Sequence, residues 1–186
     1  NKQGIIYNSK KAQLPVVEER NCSWRIYFTS RNKLNQNEGY FIDVEKGNPS
    51  NVLAPAKQAI VPGKPGSTDS AGVMPTCKFE DKLYYIQPSY SIRLATSDDG
   101  LNWSKSGIPT IKLRGEEAGI SAATVYRHKD IFHMWFSVRN SIEFRTNPEH
   151  AYTIEHATSK DGYVWSRDTK FGIVQELEFE SIMCAY

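Results

Sequence analysis

The sequence predicts an all-β fold made of repeated, short-stranded units, and three observations predict it. Residues 90–105, YSIRLATSDDGLNWSK, recur as YTIEHATSKDGYVWSR over residues 152–167, with Tyr, Ile, Ala-Thr-Ser, Asp-Gly, Trp and Ser in register. Aromatic residues make up 12% of the chain and concentrate in runs that alternate apolar and polar positions, the pattern of half-buried strands. No apolar period of 3.6 residues is sustained anywhere, which excludes an α-rich fold.

Each part of the repeat has a physical reading. Ile92 and Leu94 alternate with Ser91 and Arg93, a period-two strand. Asp98, Asp99 and Gly100 then make a tight turn, because Asp accepts local backbone bonds and Gly tolerates positive φ. Trp103 follows as an anchor large enough to hold the turn against the next pair of strands. Asp161, Gly162 and Trp165 repeat the device. A weaker echo relates residues 24–32, WRIYFTSRN, to residues 132–140, FHMWFSVRN, and residues 82–88, KLYYIQP, resemble the same strand in the middle copy. A repeat of short strands with this period is the signature of β-propeller blades.

The chain divides into approximate blades at 13–60, 73–107 and 120–168, with the start of a fourth at 179–186. Residues 48–72 are rich in Pro, Gly and Ser and read as one long loop, with Val52 and Leu53 touching the core. The middle unit has almost no loop after LYYI, where its sister has NSIEFRTNPEHAY. Propellers close rings of 4–8 blades, so three units and a fragment are expected to be part of a larger ring.

With 186 residues the chain can bury one ordinary core. The formal net charge is +2 and the basic residues are scattered, so neither nucleic acid nor a membrane surface is an expected partner. No run is long and apolar enough to span a bilayer, and residues 1–11, NKQGIIYNSKK, contain no signal-peptide core. Cys22, Cys77 and Cys184 are odd in number and lack metal-ligand or CxxC spacing. They read as reduced thiols of a cytoplasmic protein with no metal and no cofactor.

The Ser-x-Asp-Gly-x-x-Trp elements, each after an aromatic strand, resemble those of the five-bladed β-propeller glycoside hydrolases, the arabinanase, xylosidase, invertase and levansucrase superfamily. More narrowly, DSAGVMPTC (69–77), LYYI (83–86), SIRLATSDDG (91–100) and FESIMCAY (179–186) resemble a bacterial subgroup of glycosidase-like proteins associated with surface-polysaccharide synthesis. The resemblance covers the whole chain. It implies a five-bladed propeller, of which this sequence represents about three blades and part of a fourth, and a carbohydrate ligand in the central pocket. The sialidase Asp box is a poorer match, because it has an extra residue between Asp and Gly.

Glycoside hydrolysis needs two carboxyl groups flanking the scissile bond. In a propeller, site residues lie at or just before the innermost strand of each blade. Unit one offers Gln13, where the resemblance implies an Asp acting as base or nucleophile. An amide is not a base, but it can hydrogen-bond a sugar hydroxyl or simply face solvent. Unit two offers Asp69, a base or sugar ligand, or else a turn residue satisfying local amides. Unit three offers Glu117, with Glu116 beside it, as the partner carboxylate or part of a solvated loop. Glu180 matches the fourth-blade Glu that the resemblance casts as general acid, with Phe179 and Ile182 as an apolar setting; it is otherwise a surface Glu beside Glu176 and Glu178. Arg31 and Arg139 share an Arg-Asn ending and either grip substrate or tie blades together. His133 and His156 read as packing or surface residues, and Asp99 and Asp161 as parts of the turns.

The expected function is therefore action on a glycosidic bond by Glu180 with Asp69 or Glu117, and substrate binding by Gln13, Arg31 and Arg139. The alternative is carbohydrate binding or polysaccharide assembly without catalysis, which Gln13 favours. A propeller scaffold with a vestigial pocket is the third reading.

Overall fold

The computed structural model describes residues 12–143, 146 and 152–173, with the backbone alone for 168–173. The described residues form twelve strands in three four-stranded antiparallel sheets, and in each sheet the strands lie in sequence order. Blade one contains β1 (Gln13–Glu19), β2 (Ser23–Arg31), β3 (Asn37–Glu45) and β4 (Lys57–Ile60). Blade two contains β5 (Met74–Phe79), β6 (Lys82–Ile86), β7 (Ile92–Thr96) and β8 (Ser104–Ile111). Blade three contains β9 (Gly119–His128), β10 (Ile131–Arg139), β11 (Tyr152–Ser159) and β12 (Ser166–Ile173). The architecture is that of propeller blades, all-β as the repeat predicts.

One expectation changes. The polar stretch 48–72 is not all loop, because β4 lies within it. The side chain of Ile60 is buried between blades and explains why so short and polar a segment is held as a strand on β3. In blades two and three the fourth strand, β8 or β12, follows the tryptophan of the repeat and closes the sheet.

The first strands β1, β5 and β9 stand side by side and mark the axis. The Ala123 N–H donates to Thr76 Oγ1 at 3.0 Å, and Lys78 Nζ meets Glu18 at 3.0 Å, so adjacent first strands are joined by polar contacts. The apolar cores fill the seams between sheets. Tyr27 and Phe41 of blade one meet Leu83, Tyr85 and Ala95 of blade two. Tyr84, Ile92 and Leu94 of blade two meet Ile120, Phe132, Met134 and Phe136 of blade three. These side chains are almost wholly removed from water, at roughly 25 cal/mol per Å² of apolar area buried.

The repeated turn controls these seams. Ser97 Oγ donates to Asp99 Oδ1 (2.9 Å) and accepts from the Gly100 N–H (2.9 Å). Asp99 Oδ1 also accepts from the N–H groups of Leu101 and Asn102, both at 2.8 Å. The second copy has the same bonds: Ser159 to Asp161 at 3.0 Å, Gly162 to Ser159 at 2.9 Å, and Tyr163 and Val164 to Asp161 at 2.8 and 3.0 Å. Gly100 and Gly162 have φ of +66° and +75°, which side-chain-bearing residues rarely adopt.

Each turn docks on the blade before it, not on its own next strands as its sequence suggests. The Gly100 carbonyl accepts from Arg25 Nη1 at 2.8 Å, and Trp103 meets Tyr27 edge-on at 6.2 Å. The Gly162 carbonyl accepts from the Tyr84 hydroxyl at 2.9 Å, and Trp165 meets Tyr84 edge-on at 6.1 Å. A Cβ on Gly162 would lie 2.9 Å from Lys82 Cε, so this glycine also permits the close approach.

Backbone N–H groups at Val164 and Tyr163 hold the Asp161 carboxyl below its ordinary pKa, and those at Asn102 and Leu101 do the same for Asp99. The folded pKa lies below the unfolded value of about 3.9, so this stabilisation is complete above that pH and is lost as pH falls through the folded pKa. Asp161→Asn keeps an acceptor oxygen without the charge. Its unfolding free energy, from urea titrations at pH values between about 5 and 2, should fall less on acidification than that of the unmodified chain. Parallel pH profiles would contradict the turn's electrostatics.

Candidate functional site

The first strands begin at one end of the blades, and the described sequence candidates lie in or beside strands and connections near that end. Each first strand carries a register shift near the same level: between Gln13 and Val16 in β1, between Pro75 and Cys77 in β5, and in β9 opposite Trp135–Ser137. Leu14 and Ala122, within two of these bulges, have φ of +54° and +48°. Bulges re-aim side chains and interrupt pairing, as they do at the rims of binding sites.

Together the three strands line an axial cleft of about 750 Å³, walled by Leu14–Val17, Thr76–Lys78 and Ala122–Val125. That volume suits a sugar-sized ligand. The described lining is apolar or small apart from Thr76, Thr124, Cys77 and Lys78, and it holds no carboxylate. Burial pushes the Cys77 thiol up to about 11, so it is protonated at neutral pH and is no nucleophile. Lys78 is occupied by Glu18, whose carboxyl is held below its ordinary pKa by Lys78 and Arg20 against the opposing effect of burial. Among the described residues, no group of three or more His, Cys, Asp or Glu is arranged to hold a metal ion.

Gln13 is exposed at the start of β1, next in the chain to Leu14 of the cleft wall, with its Nε2 3.4 Å from Asn37 Oδ1. Asp69 and Glu117 lie elsewhere, in the connections that carry the chain from one blade to the next. Asp69 is 7% exposed and is bound by Lys105 Nζ at 2.5 Å and by Ser67 Oγ at 2.9 Å. Lys105 also donates to the Val61 carbonyl at 3.1 Å. Burial opposes ionisation of Asp69, but the Lys105 and Ser67 contacts outweigh it and lower the pKa. Glu117 receives both ends of the Arg167 guanidinium, at 2.6 and 2.9 Å, and accepts from the Arg114 N–H at 2.7 Å. Arg167 also binds Glu155 of β11.

These two arrangements are copies of each other. Lys105 and Arg167 are equivalent positions of the repeat, the residue after Trp-Ser. Each reaches from the fourth strand of its blade to an acid in the connection entering that blade. Asp69 and Glu117 thus lie in separate seams, each held by its own cation. The signal for this was present in the sequence as the shared Lys/Arg that ends both copies.

The two repeated arginines differ. Arg31 is exposed and donates to Asn35 Oδ1 at 3.0 Å. Arg139 is 8% exposed, and its guanidinium covers the Tyr90 ring of blade two at 3.6 Å. Beside it the Ala118 N–H donates to the Arg139 carbonyl at 2.8 Å, and the Ile120 N–H to the Tyr90 carbonyl at 2.7 Å. Arg139 therefore joins blades two and three. Asn32 shapes its turn, accepting from the N–H groups of Leu34 and Gln36. Glu180 lies outside the described residues.

No family model matches this sequence, and no curated protein matches it. Solved structures do. A glycoside hydrolase superimposes with a TM-score of 0.64 at 15% identity, over 90% of this chain and 59% of its own. An exo-1,5-α-L-arabinanase from a bovine ruminal metagenomic library gives 0.54 at 14% identity, over 85% and 59%. A β-1,2-mannobiose phosphorylase from Listeria innocua, in complex with β-1,2-mannobiose, gives 0.54 at 15% identity, over 72% and 43%. The chain thus spans at most about three-fifths of the length of these proteins. The likeness shows a fold shared with propeller glycoside hydrolases.

If Asp69 and Lys105 form a strut, Asp69→Asn and Lys105→Met should each destabilise the chain by about 1–3 kcal/mol, since either leaves a half-buried partner uncompensated. The double variant should lose less than the sum, measured by urea unfolding of all four chains. Additive losses would mean that the two side chains are not coupled.

Proposed function

We propose that this protein acts on carbohydrate at the propeller axis, as part of a glycoside hydrolase-like ring. The observation that carries the reading is the axial cleft, where three bulged first strands meet, with Gln13 next in the chain to its wall. Sugar rings present apolar faces and hydroxyl rims, and a mainly apolar wall with an amide nearby is suited to both.

For bond cleavage, Glu180 is the proposed general acid, on the resemblance of its sequence context. The second carboxylate would be Asp69 or Glu117, released from its cation when substrate binds. Arg31, exposed near the start of β3, is the proposed hydroxyl-gripping residue, and Arg139 supports the pocket from the seam. A link to polysaccharide metabolism follows from the same resemblance.

One observation favours a second reading, binding or polysaccharide assembly without cleavage. Asp69 and Glu117 are both engaged by cations, and Gln13 stands where the family resemblance implies a base. The two readings separate in one experiment. Thermal stabilisation of the chain is measured against monosaccharides and short oligosaccharides, and every stabilising sugar is then analysed for products. Cleavage that Glu180→Gln abolishes while stabilisation persists supports hydrolysis. Stabilisation with the sugar intact supports binding alone. No stabilisation by any sugar overturns the carbohydrate reading.

A further inference from the structure

The repeat allows the rims of two seams to be compared position by position. Lys105 Nζ donates to the Val61 carbonyl and Arg167 Nη1 to the Lys112 carbonyl, both at 3.1 Å, so Val61 and Lys112 are equivalent. Ile60 and Ile111, the residues before them, are both buried. KQAIV (57–61) therefore matches IPTIK (108–112), and in the turns Leu101 and Asn102 match Tyr163 and Val164. What differs between the two seams is not demanded by the blade.

The first rim carries Lys57 and Gln58, both exposed, where the second has Pro109 and Ile108, the latter 69% exposed. Asn102 returns its amide to Asp99 Oδ2 at 2.7 Å, whereas Val164 in the same place is 77% exposed. The first seam thus shows that polar side chains satisfy the fold at these positions, and the apolar surface of the second needs another reason. Two cations accompany it. Lys112 and Arg114 stand where the first seam has Val61 and Gly63. Both are exposed, and among the described residues neither side chain has a hydrogen-bond or ion-pair partner. With Tyr163 these residues wall an open cleft of about 300 Å³ beside β8, the outermost strand of blade two. Its described lining holds no carboxylate, since Glu117 and Glu155 are paired with Arg167 outside it.

We propose that this cleft is a second saccharide site, separate from the axis, that takes a uronate unit of an acidic glycan. Arg114 and Lys112 bind the sugar carboxylate, while Tyr163 and Val164 meet the apolar face of the ring. The volume suits a sugar ring, and the two cations complement its charge. An added peptide strand is disfavoured at this edge. Pro109 has no N–H, and Gly107, at φ +75°, lies where the pairing of β8 with β7 shifts register and has its carbonyl bound by Arg93. The choice of a glycan over other anions rests on the carbohydrate reading of the axial cleft.

The test titrates the chain, labelled with 3-fluorotyrosine, with tetragalacturonate, tetramannuronate, neutral maltotetraose and hexaglutamate. The Tyr163 signal is assigned by Tyr163→Phe. A uronate tetramer is expected to shift that signal, with an affinity that falls as salt is added. Arg114→Gln should weaken this binding by about fivefold or more. So should Tyr163→Leu combined with Val164→Asn, a pair that the first copy of the turn already accommodates. If neither uronate tetramer moves the Tyr163 signal, the proposal is overturned. A saccharide that still binds without moving it leaves the axial reading standing, whereas binding by no saccharide counts against both. A Tyr163 shift as large with maltotetraose overturns the acidic specificity, and one as large with hexaglutamate overturns the glycan.

Discussion

The structure depends on one contact made twice: a tryptophan edge against a tyrosine ring of the preceding blade, with the neighbouring glycine carbonyl bonded to that blade. A single four-stranded sheet has two faces to cover and too little core to stand alone. The Trp103–Tyr27 and Trp165–Tyr84 contacts turn separate sheets into a continuous stack with its apolar residues in the seams. The turn's own hydrogen bonds are local, and their role is to hold the tryptophan and the carbonyl at the angle the seam requires. The motif is conformational, and its Asp residues accept from the turn's own backbone N–H groups and side chains.

A second constraint acts where the chain crosses between blades. Asp69 with Lys105, and Glu117 with Arg167, tie each crossing to the fourth strand of the blade it enters. Side chains that look catalytic in sequence, acids just before a first strand, therefore have a competing use. The geometry divides the labour. Ion pairs and Arg139 hold the seams, while the axial cleft is left mainly apolar.

The sequence disclosed the blades because their repeat is written in side chains that cannot be exchanged: Gly at positive φ, Asp beneath two N–H groups, Trp in the seam. It was less clear about β4, whose four residues, KQAI, carry one strongly buried apolar side chain and pair through a register shift. Periodicity cannot find so short a strand. It also gave the wrong partner for Trp103 and Trp165, since a local pattern does not say which neighbouring surface a side chain covers. The paired roles of Lys105 and Arg167 were visible only as conserved charge between two copies within one chain. The acids they bind lie at different distances before them, so no fixed spacing marked the pairs.

The most direct test of the account is a double-mutant cycle on Tyr84 and Trp165. Tyr84→Leu, Trp165→Leu and the double variant are unfolded in urea beside the unmodified chain. The account predicts a coupling of about 1 kcal/mol or more, because either change removes the same ring contact and disturbs the same carbonyl bond. Losses that add to within a few tenths of a kcal/mol would contradict it, and would mean that the blades are held by undirected apolar burial and not by the turn.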